Sequence, residues 1–414
     1  MRVAFVSQPM DSVVFNQNSI GIWTLEASTR LGCTHDVRVY CRADTTNRRV
    51  EGVELCRISL KPDTWLNRIA RKLLSGNAPD RPYFSSWTFF FLYAVRVAID
   101  LRSFRPDIIH LHNFSQFAPL IKTLNPHSRL VLHMHCEWLT QLDETIVRSR
   151  LGYVDTIAGC STYITDAIAK RFPGHARKCA TIYNGVDSSR FSPAESPDSL
   201  SAESRTRLLF VGRVSPEKGL HYLVDALPAL SDRIENFTLD IIGSKRQLPY
   251  EYLGALSEEA LARHLSNFYG NDDRSYYYEF LTEKIRSLGL EQSVNFHGQL
   301  PQSDLPDFYR KADVLINPSL SESFGMSLIE AMACGVPVIA TDVGGMAEIV
   351  QNRITGLIVP HSDPDALSDG IGHLVSDPDS AGAMGKAGRR RAKEHYSWDK
   401  IVADLESSYR SACA

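Results

Sequence analysis

Apolar residues along the chain fall into short continuous runs that alternate with stretches of helical periodicity. Such runs are typical of strands buried on both faces, as in parallel sheets. In the first half they predict strands at 3–7, 36–40, 108–112, 130–135, 156–160 and 180–183. In the second half they predict strands at 208–211, 239–242, 294–297, 314–317, 338–340 and 356–359. Because strands that alternate with helices indicate βαβ units, we expect an α/β protein with two Rossmann-like parallel sheets.

The segment between the two sets of strands has a different composition. Residues 191–206 are rich in Ser and Pro and lack periodicity, which is typical of a linker. We therefore predict an N-terminal domain over 1–190 and a C-terminal domain over 207–397. The length of 414 residues suits this division, because each half is long enough to bury its own core.

The stretch 322–341 carries the strongest chemical pattern in the chain. It predicts a loop with Glu322, a helix that begins near 324–326 and contains Glu330 about two turns in, and then a buried strand. The free backbone amides at a helix N-terminus suit phosphate, and carboxylates suit sugar hydroxyls. The pattern therefore indicates a sugar nucleotide, although two solvated glutamates on a surface helix would explain this stretch taken alone.

Two further strand-to-helix turns repeat this theme. The strand at 208–211 runs into a basic loop with Arg213 and Lys218, and a glycine pair at 344–345 follows another strand. Open α/β sheets bind ligands at the carboxyl ends of their strands. Arg grips phosphate with two parallel hydrogen bonds and Lys adds a point charge. Three such turns in order predict a phosphate and sugar site in the second half.

With these motifs the chain resembles glycosyltransferase family 4, the retaining glycosyltransferases with the GT-B fold. The matching segments are 210–220, 312–330, 333–341, 343–345 and 355–360. The resemblance is dense in the C-terminal half and loose in the N-terminal half. It implies two Rossmann-like domains facing each other across a cleft, with a last helix at about 398–414 that returns to the first domain. It also implies retaining transfer of a sugar, of hexosyltransferase type, from a nucleotide diphosphate to an acceptor hydroxyl.

The resemblance further implies roles for individual residues. Arg213 and Lys218 would neutralise the diphosphate, Glu322 would face the sugar, and Glu330 would bind the ribose hydroxyls. The remaining donor contacts would come from the base pocket and from backbone turns, at Gly21, Gly243, His297, Gly298, Ser323, Phe324, Gly325, Met326 and Ser327. A UDP-sugar is favoured only by its frequency in the family. The acceptor would be a sugar, a small molecule or a lipid-linked glycan.

Four histidines stand in two pairs at the ends of predicted strands, His110 with His112 and His133 with His135. Residues two apart on a strand share one face. Two such pairs would be able to ligate zinc, but no aspartate set accompanies them. The resemblance instead aligns His135 with a catalytic histidine near the donor sugar, and it leaves His110 and His112 structural. Glu137 either orients the acceptor or is a surface carboxylate.

Neither a metal nor a bound cofactor is expected. The chain has no G-x-G-x-x-G after its first strand, which disfavours a nicotinamide dehydrogenase. D-x-D patterns occur only at 363–365 and 377–379, where Asp-Pro is ordinary turn chemistry. The nucleotide sugar is therefore a substrate, and we expect transfer without a metal.

Bulk properties limit the partners and the compartment. A net charge of −3 disfavours nucleic-acid binding. Eight scattered cysteines, no apolar run of transmembrane length and no targeting segment favour a cytoplasmic enzyme with buried or incidental thiols. The oligomeric state has no sequence signature.

Two segments leave alternatives open. The stretch 61–74 places an apolar stripe beside cations, with Trp65, Ile69 and Leu73 next to Arg68, Arg71 and Lys72. It either lies on an anionic membrane, at its inner face, or packs on the first sheet as an ordinary helix. The tyrosine-rich stretch 244–280 departs from the family. It is a lid over the nucleotide, an acceptor contact, an oligomer surface or a helical decoration.

Other functions remain compatible with the same fold. One is a GT-B isomerase or phosphorylase that acts on a sugar nucleotide or a glucan. Another is a non-catalytic protein that binds a sugar nucleotide. The carboxylate pair Glu322 and Glu330, together with Arg213 and Lys218, favours glycosyl transfer over both.

Overall fold

The computed structural model describes residues 1–10, 13, 18–43, 50–73, 80–194, 205–231, 233–247, 249–252, 259–269 and 275–413. The chain divides into two compact units. The first unit is Met1–Asn184 with Trp398–Ala414, and the second is Gly185–Ser397. The middle of the predicted linker, 195–204, lies outside the described residues.

The first unit contains a seven-stranded sheet in the order β3-β2-β1-β4-β5-β6-β7, with every strand pair parallel. Its strands are β1 Arg2–Val6, β2 Asp36–Arg42, β3 Val53–Ile58, β4 Ile108–His112, β5 Arg129–Met134, β6 Thr156–Gly159 and β7 Cys179–Thr181. Its helices are α1 Ser19–Leu31, α2 Lys61–Leu73, α3 Phe91–Phe104, α4 Ala118–Leu124, α5 Trp138–Gln141, α6 Glu144–Leu151, α7 Thr162–Arg171 and α16 Trp398–Cys413.

One strand of this sheet was not predicted from the sequence. β3 pairs with β2 at the edge of the sheet, with Val53 opposite Val37. None of its residues is buried, and Glu54 and Arg57 interrupt its apolar residues. An edge strand that is half solvated has no continuous apolar run, so the pattern that identifies the central strands does not identify it.

The core of the first unit joins the two ends of the chain. Trp23 of α1 is fully buried against the strands. Trp398, Ile401, Leu405 and Tyr409 of α16 belong to the same core, and α16 packs on α1. The last helix is therefore part of the first unit.

The second unit contains a six-stranded parallel sheet in the order β10-β9-β8-β11-β12-β13. Its strands are β8 Thr206–Val211, β9 Phe237–Ile242, β10 Val294–Gly298, β11 Val314–Asn317, β12 Val338–Thr341 and β13 Leu357–Val359. Its helices are α8 Leu220–Ser231, α9 Glu259–Ser266, α10 Tyr276–Ser287, α11 Leu305–Lys311, α12 Met326–Ala333, α13 Met346–Ile349, α14 Pro364–Ser376 and α15 Pro378–His395.

The tyrosine-rich stretch is built into this second unit. The predicted segment 244–280 lies partly outside the described residues, at 248, 253–258 and 270–274. Its last tyrosines begin α10, which is the crossover helix that leads to β10. Phe268 and Tyr277 lie in the core, and the Tyr277 hydroxyl bonds the ring of His221 on α8 at 2.7 Å. The described part of the segment therefore packs as a helical addition on α8.

Both sheets reverse their strand order once. The reversal lies between β1 and β4 in the first unit and between β8 and β11 in the second. In open parallel sheets this switch point opens a crevice at the carboxyl ends of the strands, where ligands bind.

Among the described residues, no helix has both the length and the apolar content to cross a membrane. All eight cysteines are free thiols, although Cys33 and Cys413 are exposed rather than buried.

Candidate active site

The loops after β8 and β11 meet at the switch point of the second sheet. The Lys218 ammonium donates to the Glu322 carboxylate at 2.6 Å, and each side chain is about one fifth exposed. The Leu320 amide donates to the carbonyl oxygen of Glu217 at 2.8 Å. The basic loop and the carboxylate loop therefore form one structure.

The glycine pair after β12 completes this structure. The Gly345 amide donates to the Glu322 carbonyl at 3.0 Å. A Cβ atom on Gly344 would lie 1.9 Å from the same carbonyl, so only glycine allows the two loops to approach this closely. The pair thus fixes the backbone of Glu322 rather than contributing chemistry of its own.

Helix α12 begins directly after these loops. Gly325, at φ 114°, precedes its first residue, Met326, and Phe324 is buried. The helix has eight residues, so Glu330 lies in its second turn rather than two turns inside it. The Ser327 hydroxyl lies 3.4 Å from the Asn317 amide at the end of β11.

Glu330 is a buried carboxylate with two donors. The Tyr309 hydroxyl donates to it at 2.7 Å, and the Gln302 amide lies at 3.5 Å. Burial raises the pKa of Glu330 to about 7, although both donors and the charge of Arg190 act to lower it. A carboxylate that is this poorly solvated gains more than an exposed one from hydroxyl donors on a ligand.

Arg213 lies in the same basic loop with a half-buried side chain. The end of β9 runs directly beside this loop, where a Cβ atom on Gly243 would lie 1.8 Å from the carbonyl oxygen of Gly212. The Gly243 amide donates to Gly298 at 2.8 Å. The predicted glycines of β9 and β10 are therefore neighbours of the loop that carries Arg213.

His297 occupies the edge strand β10. Its Nε2 lies 2.7 Å from the Asp240 carboxylate, and its ring packs edge-on against Phe308. The side chain is 32% exposed. Its proposed place in a base pocket stays a prediction.

Tyr269, from the tyrosine-rich segment, also lies near the basic loop. Its hydroxyl is buried and has no hydrogen-bond partner among the described residues. Burial is the largest cause that raises its pKa, the Glu217 carboxylate adds to this, and the Arg213 guanidinium opposes it. The segment therefore reaches the electrostatic neighbourhood of Arg213, which its sequence did not indicate.

In the first unit, the four predicted histidines form one cluster at the ends of β4 and β5, in which His110, His112 and His133 are buried and His135 is half-buried. His110 lies 3.1 Å from His133, and His112 lies 3.0 Å from His135. Trp23 stacks on His110 at 5.1 Å between ring centroids. Burial lowers the pKa of each histidine well below its ordinary value, to about 3 for His135, so all four are neutral.

The first pair has a proton arrangement that its partners determine. A carbonyl oxygen only accepts, so the bond from His133 Nε2 to Ile182 O at 3.1 Å places the proton on Nε2. His133 Nδ1 then accepts from His110 Nε2. His110 Nδ1 in turn accepts from the Tyr409 hydroxyl at 2.7 Å. One directed chain therefore runs from α16 to the loop after β7.

The second pair is determined in the same way. The Thr24 hydroxyl donates to Ile20 O at 2.8 Å, so it accepts from His112 Nε2 at 3.2 Å. His112 Nδ1 then accepts from His135 Nε2. His135 Nδ1 is left with a lone pair, and it is buried without a partner, as is Asn184 Oδ1. An Asn184 amide turned the other way would donate to this nitrogen.

This arrangement bears on the zinc alternative. One ligand atom each of His110, His112 and His133 lie within 4.8 Å of one another. All six of their ring nitrogens already have a hydrogen-bond partner. A cation would have to displace these partners, so the geometry favours a hydrogen-bonded stack over a metal site.

Other predicted residues also have partners within their own unit. The Gly21 amide, in the first turn of α1, donates to Asn18 Oδ1 at 2.7 Å, while Asn16 lies outside the described residues. The Glu137 carboxylate accepts from Tyr163 and from Gln141. Both roles proposed from the sequence stay predictions.

The two D-x-D turns have a structural use. Asp363 accepts from the Ala366 amide at 2.9 Å and caps α14. Asp377 accepts from the Ser380 amide at 3.0 Å and caps α15. Each first aspartate is therefore an N-cap, in agreement with their interpretation as turn residues.

Sequence reasoning missed the residues that hold the site residues in place. Tyr309 and Gln302 bond Glu330, while Thr24 and Tyr409 end the two histidine chains. Tyr409 is 299 positions from its partner. No local pattern identifies such pairs, because only the fold brings them together.

Two family descriptions match the chain, one in each half. Residues 25–190 match Glycosyltransferase Family 4, and residues 192–391 match Glycosyl transferases group 1. Spore coat protein SA of Bacillus subtilis is 26% identical over 336 residues, covering 77% of this chain and 81% of that protein. A D-inositol 3-phosphate glycosyltransferase of Corynebacterium urealyticum is 30% identical over 251 residues, covering 59% and 54%.

Solved structures share the whole fold. Sucrose-phosphate synthase from Thermosynechococcus elongatus has a TM-score of 0.75 at 21% identity, covering 99% of this chain and 98% of that chain. The Anabaena protein HepE, solved with UDP-glucose, has a TM-score of 0.72 at 20% identity, covering 99% and 100%. The predicted GT-B fold is confirmed. The chain belongs to glycosyltransferase family 4 and is a glycosyltransferase with the GT-B fold.

Proposed function

We propose that this enzyme transfers a sugar from a nucleoside diphosphate sugar to an acceptor hydroxyl, with retention of the anomeric configuration and without a metal. The observation that carries the proposal is the Lys218–Glu322 contact of 2.6 Å at the switch point of the second sheet. It joins a phosphate-type cation and a sugar-type carboxylate at the kind of position where open α/β sheets bind ligands.

The leaving group is the diphosphate, and it needs positive charge as the glycosidic bond breaks. Lys218 has three donors and uses one of them on Glu322, which orients the ammonium. Arg213, in the same loop, adds a guanidinium that matches phosphate geometry. Fixed charges that act on the developing negative charge are the largest single source of rate in many enzymes.

Glu322 and Glu330 bind different parts of the sugar nucleotide in this proposal. Glu322 keeps one carboxylate oxygen for a hydroxyl of the transferred sugar. Glu330 receives the ribose hydroxyls, and its burial with Tyr309 and Gln302 supports a fixed, desolvated acceptor. The amides at the start of α12 assist with the phosphate.

His135 acts in this proposal as a hydrogen-bond acceptor. Its Nε2 proton is directed at His112, which leaves the Nδ1 lone pair as its acceptor. This nitrogen is buried beside Asn184, so in this proposal the Asn184 side chain turns aside when a hydroxyl of the donor or acceptor binds. The depressed pKa keeps the ring neutral at physiological pH. His112 and Thr24 are positioning residues, because they select this tautomer.

The remaining parts of the proposal are the donor, the stereochemistry and the acceptor. The nucleotide is uridine diphosphate, which is supported by a structural neighbour that binds UDP-glucose. No enzymic nucleophile was identified in the sequence, so we propose front-face attack by the acceptor within an ion pair. The acceptor is a sugar, a small molecule or a lipid-linked glycan, and peripheral contact with a membrane belongs to the same proposal.

Two measurements test this function. A thermal-shift series with UDP, ADP and GDP should show the largest rise in melting temperature with UDP, because a ligand at a hundred times its dissociation constant stabilises by about 2.7 kcal/mol. With the donor so found, proton NMR of the product should show the anomeric configuration of the donor. An inverted product would contradict the retaining mechanism, and equal shifts with all three nucleotides would contradict uridine selectivity.

A further inference from the structure

Helix α2 of the first unit turns its polar residues inward. Asp63 is fully buried, and its carboxylate accepts from the Tyr93 amide at 3.1 Å. Asn67 accepts from the Phe90 amide at 3.2 Å and from the Tyr83 hydroxyl at 3.1 Å. Because Phe90 and Tyr93 are at the start of α3, polar side chains hold α2 against the N-terminus of that helix.

The large apolar residues of α2 consequently point outward. Trp65 is 63% exposed and Ile69 is 39% exposed. They are one turn apart on the helix and lie opposite Asp63 and Asn67. An ordinary amphipathic helix has the reverse arrangement, so Trp65 and Ile69 do not pack on the first sheet as the alternative from the sequence required.

A second tryptophan lies in the segment that touches α2. Trp87 is 65% exposed and contacts only the edge-on ring of Phe91, at 5.4 Å, among its described aromatic contacts. It stands between Tyr83 and Phe90, the two residues that bond Asn67. We call Trp65, Ile69 and Trp87 the outward apolar set.

The exposed charged residues of the described part of α2 have one sign. Within the described part of α2, Lys61, Arg68, Arg71 and Lys72 are all exposed, and Asp63, the helix's acidic residue, is buried. A protein partner would usually be met by mixed charges and a larger apolar core. Exposed tryptophans next to clustered cations are instead the composition that binds at the headgroup level of a bilayer.

We infer that the outward face of α2 docks on an anionic lipid bilayer, with Trp65 and Ile69 at headgroup depth and the α2 cations on the lipid phosphates. This deepens the membrane contact of the proposed function and names its surface. The inference depends on the proposed function in one respect only: binding to the bilayer would give the enzyme access to a lipid-linked acceptor. Lipid binding itself requires no turnover.

The experiment is flotation of the full-length protein with lipid vesicles. Vesicles of phosphatidylcholine with about 30% phosphatidylserine should bind the protein, and pure phosphatidylcholine should not. Binding should fall several-fold between about 0.1 M and about 0.5 M NaCl, because salt screens the cations. Weak binding to both vesicle types, or equal binding, would overturn the inference.

Variants separate the apolar and the charged contributions. Trp65→Ser should weaken binding roughly tenfold by removing apolar insertion. In the double variant Arg68→Gln with Lys72→Gln, vesicle binding should weaken roughly fivefold for each charge removed. This variant should also lose most of the preference for anionic lipid. Ile99→Ser is the matched control, because Ile99 is 59% exposed on α3 of the same unit and should change nothing. These exposed positions should leave the thermal melting curve unchanged.

Two further readouts decide between occupants of the surface. If light scattering shows a dimer that Trp65→Ser abolishes, a second copy of this chain covers the face and the lipid inference is wrong. Release of nucleotide diphosphate from the donor, measured without vesicles, should be equal in wild type and in the α2 variants. If the wild type released no nucleotide diphosphate, the proposed function would be contradicted, but the conclusion from the vesicle experiment would still hold.

Discussion

The carboxyl ends of the two sheets have the same topology and opposite chemistry. At the second sheet, Arg213, Lys218 and Glu322 gather formal charges in loops, and Lys218 pairs with Glu322 across two of them. At the first sheet, four neutral histidines bond one another in two chains, and three of them are buried while His135 is half-buried. The edge of the second sheet presents charged side chains. The edge of the first sheet carries neutral histidines whose protons are fixed on defined ring nitrogens.

This difference explains why one edge is easy to recognise in the sequence. Charged groups in loops need glycines and short spacings to approach each other, and these leave a local motif. The histidine cluster depends on the pairing of β4 with β5, which places His112 beside His133. A pairing of strands that are distant in the chain leaves no such motif.

The largest effect is expected at the charged edge. Arg213→Ala or Lys218→Ala should lower the transfer rate roughly a hundredfold or more, because each removes a charge that acts on the leaving diphosphate. Steady-state kinetics measure this. Lys393→Ala, an exposed cation on α15 of the same unit, is the control and should keep the wild-type rate. Wild-type turnover in Lys218→Ala would refute the role of the charged edge.

The two glutamates of this edge should respond differently. Glu330→Gln should raise the donor KM roughly tenfold, since a ribose contact acts equally in ground and transition states. Glu322→Gln should chiefly lower kcat, because charge develops near the reacting sugar. Kinetics and calorimetry with the nucleotide diphosphate product distinguish the two. Tight product binding by Glu330→Gln would show that Glu330 does not hold the ribose.

Glu330→Gln also has an expected effect on stability that checks its folding. The pKa of Glu330 is raised in the folded state to about 7, so the wild type loses stability as pH rises from about 4.5 through 7. The glutamine variant lacks this loss and should be at least as stable as wild type at pH 8, as urea unfolding measures. A lower free energy of unfolding for the ligand-free Glu330→Gln variant would instead indicate that the Glu330 side chain stabilises the fold.

The neutral edge should show itself in the pH dependence of stability. The four histidines have pKa values well below 6.5 when folded and regain about 6.5 when unfolded, so unfolding takes up protons as pH falls below 6.5. Stability is therefore lost as the solution is acidified. His110→Gln should reduce the slope of unfolding free energy against pH by up to about 1.4 kcal/mol per pH unit between pH 6.5 and 5.5.

Urea titrations at several pH values measure this slope. His127→Gln, at an exposed position of the same unit, is the control and should leave the slope unchanged. Glutamine at position 110 keeps a donor and an acceptor for Tyr409 and His133, which limits other losses. An unchanged slope in His110→Gln would mean that the cluster takes up protons in the folded state.

The smallest effect is expected from metal removal. EDTA should leave the transfer rate within about twofold, because Arg213 and Lys218 supply the charge that a divalent ion supplies in other transferases. Complete inhibition that added metal reverses would contradict this. It would also make Asp363 and Asp377 candidate metal ligands, although each caps a helix.

The sequence by itself determined the fold class, twelve of the thirteen strands among the described residues and the charged loops of the second sheet, because each rests on short-range patterns. Buried strands need continuous apolar runs, and phosphate loops need glycines and cations at close spacing. Only the edge strand β3 escaped, since half-solvated residues carry a weaker pattern.

Tertiary structure alone decided the partners of these residues. It placed Tyr309 on Glu330, joined Tyr409 to His110, and turned Trp65 of α2 outward by burying Asp63. The periodicity of α2 is the same whichever face is buried, so it predicts a stripe and not its direction. That direction depended on the N-terminus of α3, whose first amides lack partners within the helix and therefore donate to a carboxylate in preference to facing an apolar side chain.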